Sequence, residues 1–169
     1  MTRQPPLALT PASEDDAAAI CALRDAVAER LTRDYGRGHW SSAAKVESVR
    51  RALKTPQAYV ARVGGGIVAT LRLATKKPWA IDAACFTAAR RPLYLLDMAV
   101  APDEQRRGIG RRCLEEALRL ARAWPADAIR LDAYDADAGA GPFYARCGYH
   151  EMGRVVYRKT PLIYYEALL

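Results

Sequence analysis

One stretch, Gln105-Arg106-Arg107-Gly108-Ile109-Gly110, links the apolar run Leu93–Val100 to the amphipathic stretch Ile109–Trp124. Glycine lets backbone N–H groups approach an anion closely, and a helix N-terminus carries unsatisfied donors and a positive dipole. Arginine adds charge-assisted hydrogen bonds to phosphate. The pattern therefore predicts a turn that binds a diphosphate, and a tight turn without a ligand is the alternative.

Composition predicts one globular domain over residues 1–169, because 51% of the residues are apolar and 27% are charged. The net charge of +7 favours an anionic ligand, which could be a phosphorylated cofactor or a nucleic acid. No basic strand with interleaved aromatic residues and no recognition helix is visible in the sequence. We therefore expect no nucleic-acid partner.

Neither a membrane anchor nor a secretory signal is predicted. No apolar run approaches the roughly 18 to 20 residues of a membrane helix, and Met1–Pro6 lacks an apolar core. These features favour a cytoplasmic protein without a membrane partner. The cysteines are widely separated and form no Cys-x-x-Cys pair, so buried reduced thiols are expected, with no metal site. They are Cys21, Cys85, Cys113 and Cys147.

The first half of the chain predicts a strand, two helices and a β-hairpin. Leu7–Leu9 has the pattern of a short strand, and Ser13 is typical of the residue before a helix, here ending near Leu31. Ser41 or Ser42 is expected to cap a second helix that ends before Thr55-Pro56. Three glycines, Gly64–Gly66, predict a tight turn between two strands. These strands are Tyr59–Val63 and Ile67–Leu73.

The second half predicts a long loop, Ala74–Pro92, with one helical turn, followed by a buried central strand at Leu93–Val100. Trp79 and Phe86 in the loop are candidates for a binding wall, or for aromatic residues packed beneath a flap. The next elements alternate in a way typical of a parallel strand pair followed by antiparallel strands. They are a helix to Trp124, a strand at Ile129–Asp135, a short helix from Ala140 or Gly141, and strands at Glu151–Arg158 and Leu162–Leu169.

Two segments together resemble the GNAT superfamily of acyl-CoA-dependent N-acetyltransferases. Asp97–Gly110 is similar to the family's strand, turn and Gln/Arg-x-x-Gly-x-Gly/Ala loop, and Phe143–Tyr149 is similar to its Phe-Tyr-x-x-x-Gly-Phe/Tyr signature. The resemblance implies an α/β (α+β) fold with a mixed, mostly antiparallel central sheet. This sheet is splayed between strands four and five, flanked by helices, and opened by a bulge in strand four.

The resemblance also implies acetyl-CoA as the acyl donor. Met98 and Val100 would then offer backbone groups to the pantetheine arm, and N–H groups across Arg106–Arg111 would bind the diphosphate. A solvated helix start is the alternative for the arginine side chains. Asp137 stands where the family usually has Asn, so it keeps an acceptor and loses the amide donor. The implied donor residues are Met98, Val100, Gln105, Arg106, Arg107, Gly108, Ile109, Gly110, Arg111 and Asp137.

For the chemistry, the resemblance places Tyr144 as the acid for the departing thiolate, or as a group that only orients the sulfur. Many members carry a Glu where this chain has Leu96, so the base is open. Asp97 is the nearest alternative carboxylate. Its apolar strand predicts a buried side chain that needs partners, so hydrogen bonding to a loop competes with catalysis. A water relay is the third possibility.

The predicted activity is transfer of an acetyl group to a primary amine by direct attack in a ternary complex. The alternative is a non-catalytic acyl-CoA-binding or regulatory module. The acceptor is a small-molecule amine or a peptide or protein amine. Its pocket is expected at the connection of the first two helices and the long loop, lined by Tyr35, His39, Trp40 and Trp79. A homodimer could form by pairing of the apolar C-terminal strand.

Overall fold

A computed structural model describes residues 7–55 and 57–169, which form four α-helices and seven strands. The helices are α1 (Ala17–Tyr35), α2 (Val46–Leu53), α3 (Ile109–Ala123) and α4 (Gly141–Arg146). The strands are β1 (Leu9–Pro11), β2 (Ala58–Val63), β3 (Gly66–Ala74), β4 (Pro92–Val100), β5 (Ala128–Tyr134), β6 (His150–Tyr157) and β7 (Thr160–Leu168). The expectations for Met1–Pro6 and for Pro56 as a helix stop lie outside the described residues.

Backbone contacts divide the chain into two compact units. The first contains the described chain up to Arg72 together with Asp97–Ala117. The second contains Leu73–Leu96 together with Leu118–Leu169. Strands β3 and β4 and helix α3 therefore each run through both units, and the single domain over residues 1–169 stays a prediction.

The first unit is an antiparallel strand set covered by helices. Its strands follow the order β1-β2-β3 and then the C-terminal part of β4. The predicted hairpin is confirmed, because Gly64 and Gly65 both adopt positive φ, at 57° and 83°, as its tight turn requires. Buried side chains of α1 and α2, including Ile20 and Val49, pack with Val60 of β2 into one apolar cluster.

In the second unit, the N-terminal part of β4 is followed by β5, β7 and β6. The pair β4–β5 is parallel, and the pairs β5–β7 and β7–β6 are antiparallel. The parallel ladder joins only Pro92–Tyr94 to Ala128–Arg130. Its early end fits the predicted splay between strands four and five. The mixed, mostly antiparallel fold expected from the sequence is therefore confirmed.

Several local expectations were wrong in detail. Strand β1 begins at Leu9 rather than Leu7, and α1 continues to Tyr35. Neither Ser41 nor Ser42 precedes α2, because Ser41 closes a separate 3-10 turn and Lys45 is the residue before the helix. The C-terminal strand cannot pair across a dimer, because β5 and β6 already occupy both edges of β7.

No helix in the described part of the chain has the length and apolarity needed to cross a bilayer.

A buried ion pair anchors the long loop that precedes β4. Arg130 of β5 donates from Nε to Glu166 of β7 at 2.9 Å, and the two side chains are 5% and 2% exposed. Both also hold the loop backbone, because Thr87 N–H donates to Glu166 and the Thr87 carbonyl accepts from Arg130. The Tyr164 hydroxyl accepts from the N–H of Asp82 at 3.1 Å. The loop is therefore fixed at both ends of its 3-10 turn, Ala83–Cys85.

We expect Glu166→Gln to lower the free energy of unfolding by about 3 kcal/mol, because a buried arginine then keeps its charge without a counter-charge. Urea denaturation measures the change. The matched control is Glu151→Gln, whose carboxylate pairs with the exposed Arg154 and is itself largely in water. Equal losses of stability in the two variants would contradict the role of the buried pair.

Candidate active site

Asp97 lies at an irregular point of β4 in the first unit. Its φ is +52°, in the left-handed region that residues other than glycine rarely adopt. This backbone geometry interrupts the alternation of side chains along the strand. The predicted burial of Asp97 was wrong, because its side chain is 46% exposed. The changed direction of the backbone turns this side chain to solvent.

Two arginines hold the Asp97 carboxylate. Arg72 of β3 donates to Oδ2 at 3.2 Å, and a guanidinium nitrogen of Arg24 in α1 lies 3.9 Å from the same oxygen. The partners are thus a neighbouring strand and a helix, not the loop that the sequence suggested. Neither arginine was predicted as a site residue. No local pattern could have identified them, because each approaches Asp97 only through the tertiary fold.

The glycine-arginine turn follows β4 and leads into α3. Gly108 has φ +80°, and a Cβ placed on it would meet no atom within 4 Å, so the space above this residue is open. Arg106 also adopts positive φ, at 61°. The backbone N–H groups of the first turn of α3 lack acceptors within the helix. An open backbone surface at a helix start is the geometry that the predicted diphosphate site needs.

Some side chains around this turn form hydrogen bonds or ion pairs within the protein, and several are exposed to solvent. Gln105 donates from Nε2 to the Val100 carbonyl at 3.0 Å, which ties the turn to the end of β4. Arg107 pairs with Glu104 at 2.9 Å but remains 64% exposed, and Arg106 and Arg111 are exposed as well. Ile109 is buried and anchors the helix start. The turn therefore presents positive charge around a rigid backbone, and these residues fit the phosphates of an acyl-CoA donor.

The backbone of Met98 and Val100 lies between Asp97 and this turn, and both residues are partly exposed. The side-chain amide of Gln105 already donates one hydrogen bond to the Val100 carbonyl oxygen. Because a carbonyl oxygen has two lone pairs, a second hydrogen bond remains compatible with this contact. Leu96, at the position where the resemblance implies a Glu in many members, supplies no side-chain proton acceptor.

Tyr144 belongs to the second unit, where α4 places it among aromatic rings. It is 8% exposed, and its ring centroid lies 5.9 Å from that of Tyr149 and 6.1 Å from that of Tyr165. Burial raises the pKa of Tyr144 well above its usual value, and the nearby Asp132 carboxylate adds to the increase. The Tyr144 phenol therefore keeps its O–H group across the neutral range.

Asp137, also in the second unit, is exposed in the turn between β5 and α4. The helix begins at Gly141 with Pro142 next, as the sequence predicts. Gly139 in this turn was not predicted as important. A Cβ there would lie 1.7 Å from the Tyr134 carbonyl oxygen, so only glycine fits. The turn is therefore tightly constrained, with Asp137 directed to solvent.

The predicted acceptor residues lie in different environments. Tyr35 ends α1 and is 51% exposed, and His39 and Trp40 form an edge-to-face pair with ring centroids 5.0 Å apart. Trp79, in the second unit, is 85% exposed. Phe86 is not a binding wall, because it is buried and stacks on Tyr164 at 5.2 Å. The acceptor roles of Tyr35, His39, Trp40 and Trp79 stay predictions.

Metal binding has no support in the part of the chain that the structure describes. Over residues 7–55 and 57–169, no three His, Cys, Asp or Glu side chains are grouped so that they could hold an ion. The cysteines form no disulfide, with Cys21 and Cys113 buried and Cys85 and Cys147 partly exposed.

This combination of a splayed mixed sheet and a glycine-arginine turn after β4 defines an acyl-CoA-dependent acetyltransferase fold. The family described as "Acetyltransferase (GNAT) family" matches residues 24–149. The chain belongs to this family. Acetyl-CoA is the donor that GNAT acetyltransferases use, so the predicted donor is confirmed at the level of the family. A comparison with curated proteins found no match.

Solved structures with the same fold match almost the whole chain. A GCN5-related N-acetyltransferase from Rhodopseudomonas palustris, also described as a class-II aminotransferase, is 26% identical with a TM-score of 0.73, covering 100% of this chain and 99% of that one. A GNAT acetyltransferase from Listeria monocytogenes is 16% identical with a TM-score of 0.73, covering 96% and 95%. The putative acetyltransferase yncA from Salmonella typhimurium, solved with acetyl-CoA, is 14% identical with a TM-score of 0.69, covering 96% and 94%.

We expect Asp97→Gly to be more stable than Asp97→Ala by about 1 kcal/mol, because both lose the ion pairs but only glycine adopts positive φ without a steric cost. Urea denaturation of the two variants measures the difference. The control is Ala99→Gly in the same strand, where the φ is ordinary and glycine should instead destabilise. An alanine variant as stable as the glycine variant at position 97 would contradict a strained backbone.

Proposed function

We propose that this protein transfers an acetyl group from acetyl-CoA to a primary amine by direct attack in a ternary complex. The observation that carries the proposal is the turn at the head of α3, where Gly108 has positive φ and open space above it. Exposed arginines surround that backbone at Arg106, Arg107 and Arg111. A phosphate-bearing donor satisfies both the open N–H groups and the positive charge.

In the reaction, the amine nitrogen forms a bond to the acetyl carbonyl carbon, and the bond from that carbon to the CoA sulfur breaks. The nitrogen gives up a proton, and the departing thiolate takes one. The chain's own contribution begins with the backbone of Met98 and Val100 and the turn Gln105–Arg111, which hold the donor. Holding the reactants in a fixed geometry lowers the activation free energy, because their translational and rotational freedom is already lost on binding and not at the transition state.

Tyr144 is proposed to donate its phenolic hydrogen bond to the leaving sulfur. Its raised pKa supports this role, because the O–H donor persists at any neutral pH. The same raised pKa makes full proton transfer to a thiolate unfavourable, since a thiol has a pKa of about 8.5. Tyr144 therefore stabilises developing negative charge on sulfur, and water supplies the proton.

The amine proton is proposed to leave through water. Leu96 supplies no base, and the Asp97 carboxylate is already engaged by Arg72 at 3.2 Å. A carboxylate held between two guanidinium groups is better suited to fixing the strand than to accepting a proton. Asp97 is therefore assigned a positioning role in β4, with solvent as the proton acceptor.

A non-catalytic acyl-CoA-binding module is the second candidate, and Leu96 is the observation that favours it. The two candidates differ in one measurable result, the release of free CoA from acetyl-CoA in the presence of a panel of amines. An enzyme releases CoA in an amine-dependent manner. A binding module binds acetyl-CoA without any such release.

We expect Gly108→Ala to weaken acetyl-CoA binding about tenfold, because its Cβ occupies the space above the turn and strains a residue at positive φ. Calorimetric titration with acetyl-CoA measures the affinity. Gly65→Ala is a closely matched control, since Gly65 has φ +83° and equally open surroundings but lies in the β2–β3 hairpin. The two variants should lose similar stability and differ in affinity. Equal acetyl-CoA affinity in both would remove the turn from the donor site.

We expect Tyr144→Phe to reduce kcat by ten- to a hundredfold with little change in acetyl-CoA affinity, because the lost hydrogen bond acts on the leaving sulfur. Steady-state CoA release measures the effect. Tyr149→Phe is the control, because the buried Tyr149 hydroxyl has no hydrogen-bond partner among the described residues. Removing that hydroxyl should leave turnover unchanged and stability equal or higher. A Tyr144 variant with normal turnover would exclude the proposed role.

A further inference from the structure

A cleft of about 620 Å³ lies in the first unit, between the C-terminal half of α1 and the segment that follows it. This volume is within the range of small-molecule sites. Its polar lining residues are Asp25, Glu29, Thr32, Arg33, Arg37 and Ser41. The cleft thus carries carboxylates and guanidinium groups within one small space.

The charges are ordered along the chain. The carboxylates of Asp25 and Glu29 come first, and the guanidinium groups of Arg33 and Arg37 follow. Glu29 and Arg33 are about 6 Å apart along the axis, because an α-helix rises about 1.5 Å per residue. Arg24, next to Asp25, reaches Asp97 of β4 at 3.9 Å. The acidic end of the cleft is therefore the end nearer to Asp97.

Part of the lining is already fixed by internal hydrogen bonds. Asp25 accepts from the Ala44 N–H at 2.8 Å, and the hydroxyls of Thr32 and Ser41 are 2.8 Å apart. These contacts join α1 to the segment across the cleft. The walls are therefore held in place before any ligand binds, which reduces the entropy that binding must overcome.

The remaining charges have no partner within the described residues. Glu29, Arg33 and Arg37 are exposed, and none of them forms an ion pair there. Glu29 and Arg33 have the i,i+4 spacing that commonly forms a salt bridge, and Arg30 and Asp34 at the same spacing do pair, at 3.6 Å. The cleft therefore keeps one carboxylate and two guanidinium groups available for a ligand.

We propose that this cleft binds the acceptor, and that the acceptor is a small amine that also carries a carboxylate, as a free amino acid does. This inference rests on the proposed acetyl transfer. Glu29 accepts hydrogen bonds from the amine, and Arg33 and Arg37 bind the carboxylate, for which the planar guanidinium is well shaped. The order of charges places the amine at the end nearer Asp97. A small-molecule acceptor is favoured over a protein by the volume of the cleft.

The test uses matched probes, the common L-amino acids and the corresponding L-amino acid amides, titrated into the protein with CoA present. Each amide keeps the amine and side chain and removes only the carboxylate. We expect at least one amino acid to bind tenfold or more tightly than its amide. The double variant Arg33→Gln/Arg37→Gln should abolish that preference, while Arg51→Gln, an exposed arginine of α2 outside the cleft, should keep it.

The inference is overturned if no amino acid binds, if the amides bind equally well, or if the double variant retains the preference. CoA release, measured in parallel, separates this failure from failure of the proposed function. Release with amines that lack a carboxylate, at rates equal to those with amino acids, would leave acetyl transfer standing and remove the cleft from it. Selective amino-acid binding without any CoA release would support the cleft as a binding site and reject the transfer reaction.

Discussion

The left-handed backbone of Asp97 is the constraint on which strand β4 depends. A non-glycine residue in this conformation costs about 1 kcal/mol, and Asp tolerates it better than most residues. Exposed ion pairs contribute up to about 1 kcal/mol each. The contacts of Asp97 with Arg72 and Arg24 are therefore of the same size as the backbone cost. Because these contacts offset the backbone cost, the irregular strand depends on the carboxylate.

The two units use ion pairs in different ways. In the first, the Asp97 contacts are exposed, so they are screened by salt and hold the strand only weakly. In the second, Arg130 and Glu166 are buried and also bind the backbone of Thr87, so the long loop is rigidly fixed. A weakly held β4 is compatible with small adjustments around a ligand. Trp79 belongs to this loop, so its backbone is held in place although its side chain is exposed.

Local sequence signals predicted local structure well. The glycine turn of the β2–β3 hairpin and the turn after β4 were both identified, because glycine placement encodes positive φ directly. The exposure of Asp97 was missed, because side-chain alternation assumes extended φ throughout a strand. Its partner Arg72 lies 25 residues away, and no single-sequence pattern encodes that contact. For Phe86 the sequence left two possibilities open, a binding wall or an aromatic packed beneath a flap, because Tyr164 covers it only in the folded chain.

The charge arrangement also bears on what limits the proposed reaction. Leu96 cannot accept a proton, Asp97 is held by arginines, and the raised pKa keeps Tyr144 protonated. In the proposed mechanism, none of these side chains takes the proton of the amine. The group that must lose a proton before attack is then the acceptor amine itself. In the proposed mechanism, rate enhancement consequently depends on how the proposed acceptor cleft orients that amine, so acceptor binding, rather than a protein base, would be the decisive contribution of this chain.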